Sequence, residues 1–126
     1  MKLYGFDTVE ITKLIVEKIS EVTELTVVLT NPSTKAHFPV CLVAPPLQRE
    51  VYSGAGLDLS ITVEVWGARQ YDTIRLFDEV RKKLSGYRFK LTNNTALHKD
   101  EITDKWRFGG YFECRWNAIL NAFERN

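Results

Sequence analysis

Cysteine is scarce in this chain: Cys41 and Cys114 are the only two in 126 residues. Two thiols without CxxC spacing make neither a disulfide framework nor a zinc cluster, and both are expected to be reduced. Histidine is equally scarce, with only His37 and His98. An excess of one charge is also missing, because 17 Lys and Arg oppose 16 Asp and Glu for a formal net charge of +1. That balance predicts no bulk attraction to nucleic acid or to an anionic membrane. Apolar runs such as "TVVLT" and "VCLVA" fall far short of the ~20 residues a spanning helix needs. The opening "MKLYGFDTVEITK" lacks the apolar stretch of a signal peptide, so the chain is expected inside the cell. On that reading the Asn93-x-Thr95 triplet meets no glycosylation machinery and belongs to a loop. Phosphate-binding loops, dinucleotide fingerprints and nucleophile elbows are absent from the sequence.

What remains is the composition of an ordinary globular domain, with 44% apolar and 12% aromatic residues. No linker or repeat divides it, so residues 1–126 are expected to form one domain. Asp7 and Glu10 have the spacing of a capping box, and Ile11, Leu14, Ile15, Ile19 and Val22 then recur at threes and fours. The spacing predicts an amphipathic helix over 8–22. "LTVVLT", closed by Asn31-Pro32, and "FPVCLVAP", closed by Pro45-Pro46, read as short strands. In the second, Val40 and Leu42 share one face and Cys41 and Val43 the other. Both faces are apolar, which places the strand inside a sheet and Cys41 in the core.

The clearest pattern is "LDLSITVEVWG", where Leu57, Leu59, Ile61, Val63 and Val65 alternate with Asp58, Ser60, Thr62, Glu64 and Trp66. It predicts a half-buried strand whose polar face exposes Trp66. Upstream, Gln48 to Gly56 reads as the rest of a long antiparallel hairpin, a projecting arm. "RQYDTIRLFDEVRKKLSG" predicts a second helix with Ile74, Phe77, Val80 and Leu84 inward and Gly86 as its stop. "YRFKLT" reads as another strand, followed by the polar loop Asn94 to Lys105. In "FGGYFEC" the glycine pair reads as the turn of a last hairpin, with Phe112, Cys114 and Trp116 on one apolar face. The order implies an α+β domain: a largely antiparallel sheet, two helices on one face, and the arm.

Candidate chemistry is thin. A thiol nucleophile would need His37 or His98 within reach of Cys41 or Cys114, and no local signature brings them together. Asp100, Glu101 and Asp104 form an acidic cluster flanked by Lys99 and Lys105, without an EF-hand pattern, and read as a solvated loop. Glu64 with Asp58 could imitate a nuclease carboxylate set, but Trp66 stands where a lysine is needed. No catalytic, cofactor or metal residue is therefore assigned, and the chain is expected not to be an enzyme. Aromatic residues and arginine among polar positions suit an interaction surface instead. Open sheet edges and a hairpin arm can add strands across subunits.

The run "LDLSITVEVWGARQYDTIRLFDEVRKKLSGYRFKL", followed after a loop by "WRFGGYFECRWNA", resembles the tail-terminator, or tail-completion, proteins of long-tailed bacteriophages, a lambda U-like architecture. The likeness extends over roughly residues 8–123. It implies a small structural subunit, made in the host cytoplasm and carried in the virion, that forms a hexameric ring on the head-proximal end of the tail tube. Its expected partners are further copies of itself, the tail tube protein and the head-tail connector protein. No cofactor or membrane is implied. DNA in the channel would be met only incidentally, through dispersed residues such as Lys35, Arg49 and Lys99. By position, Gln48, Arg49, Glu50 and Tyr52 of the arm, Trp66, and His98, Lys99, Asp100 and Glu101 of the loop are the expected interface residues. The alternative reading is a small intracellular adaptor or ligand-binding module that uses an open sheet surface.

Overall fold

The computed structural model describes residues 8–50, 56–117 and 122–123, so Asp7 of the expected capping box and Tyr52 of the expected arm lie outside the described residues. The elements run α1 (Thr8–Ile19), β1 (Thr26–Val28), β2 (Val40–Val43), β3 (Leu47–Glu50), β4 (Gly56–Gly67), α2 (Gln70–Ser85), β5 (Lys90–Asn94), β6 (His98–Lys99), β7 (Trp106–Asn117) and β8 (Ala122–Phe123). All eight strands join one open sheet with the backbone order β1-β2-β4-β7-β5. Among the described residues, only β1 and β2 pair in parallel. This is the expected α+β architecture.

Two long strands form its spine. β4 and β7, 12 residues each, pair without a break from Gly56↔Asn117 to Gly67↔Trp106. Each has outer partners that come in pieces, two along β4 and, with β8 joining at Trp116 and Asn117, three along β7 among the described residues. Along β4, β2 gives way to β3 across Ala44, Pro45 and Pro46, because a proline has no N–H to continue the ladder. Along β7, β5 gives way to β6 across Thr95, Ala96 and Leu97. There the Thr95 N–H still donates to the Gly109 carbonyl at 2.9 Å, and side chains add to it. The Asn94 Nδ2 donates to the Gly109 carbonyl at 3.1 Å and the Gly109 N–H donates to Thr95 Oγ1 at 2.9 Å.

The alternation in the sequence decides the core. Leu57, Leu59, Ile61, Val63 and Val65 face the helices and are buried, beside Phe112, Cys114 and Trp116 on β7 and Cys41 and Val43 on β2. Ile11, Ile15 and Ile19 of α1 and Leu76, Phe77, Val80 and Leu84 of α2 close over them in one cluster. β2 is interior, as its two apolar faces require. The inner stripe of α2 differs by one residue from expectation: Leu76 is buried and Ile74 is half-buried. Gly86 ends α2 in ordinary right-handed geometry, and the left-handed residue after the helix is Arg88, with φ 67°.

The glycine pair is the main correction. Gly109 and Gly110 lie in the middle of β7, so there is no hairpin at "FGG"; Arg107 pairs with Trp66 and Phe108 with Val65 on β4. Neither glycine uses a positive φ. Both are small because neighbours come too close. A Cβ on Gly109 would overlap the Val63 carbonyl and sit 2.9 Å from the Glu64 Cα, and one on Gly110 would meet Leu91 Cδ1 at 2.5 Å and the Asn93 carbonyl at 3.0 Å.

Candidate functional site

The expected interface residues fall into two groups at opposite ends of the spine. Gln48, Arg49 and Glu50 pair with Leu59, Asp58 and Leu57 near one end of β4. Trp66 and the partners of His98 and Lys99 on β7, which are Arg107 and Trp106, lie at the other. From Asp58 to Trp66 is about 26 Å of extended strand at ~3.3 Å per residue. The structure therefore does not gather the two groups into one site.

At the Trp66 end the polar face of the sheet is covered. Trp66 lies on the face away from the helices, as alternation predicts, but it is only 2% exposed and is not the surface residue expected. Alternation assigns a face and says nothing about what lies over it. The Arg107 guanidinium stacks on the indole, 4.2 Å from the ring centroid. Arg107 Nε and Nη2 donate to Glu64 Oε1 at 3.0 and 2.8 Å, and Trp66 Nε1 donates to the same oxygen at 2.8 Å. Glu64 is buried, so these three donors are what compensate its lost hydration. The third nitrogen, Nη1, reaches Asp100 Oδ1 at 3.3 Å.

That last bond carries the order outward into a turn. Asp100 Oδ2 accepts both the Thr103 N–H and the Thr103 hydroxyl at 2.9 Å. Its backbone N–H donates to the Lys105 carbonyl at 2.7 Å, and its carbonyl accepts the Asp104 N–H at 2.9 Å. Asp104 takes a left-handed conformation, φ 59°, which costs a non-glycine residue of order 1 kcal/mol or more unless its surroundings hold it. Lys99 Nζ pairs with Asp104 at 3.0 Å and lies 5.7 Å from the centre of the Trp106 ring. The Thr103 donors, and then Arg107, hold the Asp100 carboxyl below its usual range. The segment expected to be a solvated loop is thus a pinned turn. His98, Lys99 and Glu101 are exposed on it, while Asp100 turns inward. The sequence signal available for this was Asp100-x-x-Thr103, the spacing at which an N-cap side chain accepts a backbone N–H three residues on.

The acidic residues do not converge. Asp100 serves Arg107 and Thr103, Asp104 serves Lys99, and Asp58 pairs with Arg115 at 3.2 Å. Among the described residues no group of three His, Cys, Asp or Glu side chains is placed to share a metal ion. Burial pushes the Cys41 thiol far up and the Cys114 thiol to about 12, the latter with help from the charge of Asp58. Both are therefore protonated at neutral pH. Thiol titration of the native protein at pH 8 is expected to show no fast-reacting group, with both cysteines reacting once the chain is unfolded. Fast native labelling of either would contradict this burial. Cys114→Ser is expected to alter stability alone.

Sequence reasoning missed a groove of about 430 Å³ between α2 and β5. Ile74, Phe77, Leu91 and Phe108 line its floor, with Tyr71 and Arg81 on its rim. Phe77 and Phe108 meet edge to face, with ring centroids 5.2 Å apart, and fix the shape of the floor. Tyr71 is 85% exposed beside this apolar floor. Ile74, expected on the inner stripe, is half-buried because it lines this groove.

No protein-family model matches the chain, and no curated protein sequence matches it either.

Proposed function

We propose that this chain is a non-enzymatic structural subunit that caps the head-proximal end of a bacteriophage tail tube as an oligomeric ring and joins it to the head connector. The observation that carries the reading is the register that sets the two expected interface segments, Gln48 to Glu50 and the turn after His98, at opposite ends of the β4–β7 spine. A terminator has to address two different partners at once, the tube on one side and the connector on the other. The arm end and the pinned-turn end suit that task because a continuous strand pair keeps them about 26 Å apart. The near-neutral charge fits contacts made through local complementarity rather than through a strong field on DNA. The engagement of Glu64, Asp100 and both thiols in structural roles fits a protein that performs no chemistry.

Native mass measurement combined with negative-stain imaging, with and without tail tubes, tests this. A ring with an open channel, seated at one end of the tubes, is the expected result. A strict monomer at high concentration that leaves tubes uncapped would sink the reading and favour the adaptor alternative, with the α2–β5 groove as its binding site.

A further inference from the structure

We infer that neighbouring copies of this chain join head to tail, the turn at Ile102 of one copy inserting into the α2–β5 groove of the next. The inference rests on the ring reading and supplies its lateral contact.

Ile102 is 83% exposed at the crest of the pinned turn. A single exposed aliphatic residue is ordinary in itself. This one sits on a backbone held by four hydrogen bonds to Asp100, with a left-handed Asp104 stabilised beside it and a partly buried arginine network beneath. Apart from the Asp100 contact to Arg107, that order lies outside the core. It presents a branched apolar side chain in one orientation, and such preorganisation removes the entropy of ordering from the cost of binding. The turn is anchored to the sheet face away from the helices, whereas the groove opens on the helix side. One copy cannot fill its own groove, and the two features are differently shaped, as a heterologous contact requires.

Charge selects the occupant. On the turn, Asp100 and Asp104 are engaged by Arg107 and Lys99, which leaves Glu101 exposed and without an ion pair among the described residues. At the groove, Arg75 is engaged by Glu24 at 3.0 Å and Asp78 by Lys82 at 3.5 Å, which leaves Arg81 exposed and likewise unpaired among the described residues. With Lys105 held 5.1 Å from the centre of the Phe38 ring, Glu101 is the charge beside Ile102, and it is opposite in sign to Arg81 at the groove. A second copy of the chain meets the requirements of the groove on both counts. A contact built on one turn is small, so each is weak alone and ring closure is what makes the set persist.

The test uses the full chain and surface positions, because Cys41 and Cys114 are buried. Oxidation of Ile102→Cys/Ile74→Cys is expected to give a ladder of covalent oligomers, and a mixture of the two single variants a heterodimer. Glu101→Arg and Arg81→Glu are each expected to weaken self-association about tenfold or more by sedimentation velocity, and the double reversal to restore it. Rings that form normally in both single reversals, or cross-links only between two copies of position 102, overturn this contact and leave the ring reading standing. A wild-type chain that never self-associates, with tubes present or absent, removes both.

Discussion

Gly109→Ala loses about 3 kcal/mol of stability in urea unfolding, toward the upper end for overpacking a well-filled interior. The added methyl would meet the Val63 carbonyl and the Glu64 Cα, both backbone atoms of the neighbouring central strand. Neither can move aside without separating β4 from β7 at the middle of their 12-residue pairing. Gly110→Ala is the control and costs less, about 1 kcal/mol. Its closest obstacle is the end of the Leu91 side chain, which can change rotamer, although the Asn93 carbonyl at 3.0 Å must still yield slightly. Equal losses from the two substitutions would contradict this account of the glycine pair. A turn with positive φ would have predicted comparable damage at both positions.

Arg107→Met is expected to cost about 3 kcal/mol, the low end for removing one partner of a buried ion pair, because a quarter of the arginine side chain still meets solvent. Most of the loss comes from Glu64, left buried with only the Trp66 N–H as a donor among these contacts. The double variant Arg107→Met/Glu64→Gln keeps an acceptor for Trp66 and removes the stranded charge, so it should be more stable than the single variant. The reverse order would show that Glu64 is compensated by something else. Asp100 adds a dependence on acid. Its folded carboxyl lies below the ordinary value of 3.8, so the stability it contributes is complete above about pH 4 and is lost as the pH falls through the folded value. Asp100→Asn should remove that part of the acid response, and the 100–105 turn should lose hydrogen-exchange protection in either variant.

Local pattern carried much of the fold. The alternation from Leu57 to Val65 and the threes and fours of Ile11, Ile15 and Ile19 survive into the structure because each reports the same event, one face of one element meeting one core. The two apolar faces of Val40–Val43 placed that strand inside the sheet for the same reason. The glycine pair misled because local grammar reads Gly-Gly as backbone freedom. Here the need for glycine comes from Val63, Glu64, Leu91 and Asn93, which approach from other strands and leave no mark beside residue 109. Trp66 misled in a similar way: its face was legible, but the Arg107 that stacks over it lies on a strand 41 residues onward. The 100–105 turn was hidden in its charges. A run of acids and lysines reads as solvated until Arg107 is known to lie under it. The groove could not be read at all, since it is a space between α2 and β5.

The broken outer strands set a limit on how such subunits can associate. The edges left free along the sheet's main path are short, three residues at β1 and five at β5, and each stops where the chain leaves the ladder. A long, flat edge would accept one copy after another through backbone hydrogen bonds, and a ladder of that kind has no means of counting. In the proposed ring, neighbours would have to meet through particular side chains at a particular angle. Only contacts of that sort can bring an assembly back to its starting point and end it at a fixed number.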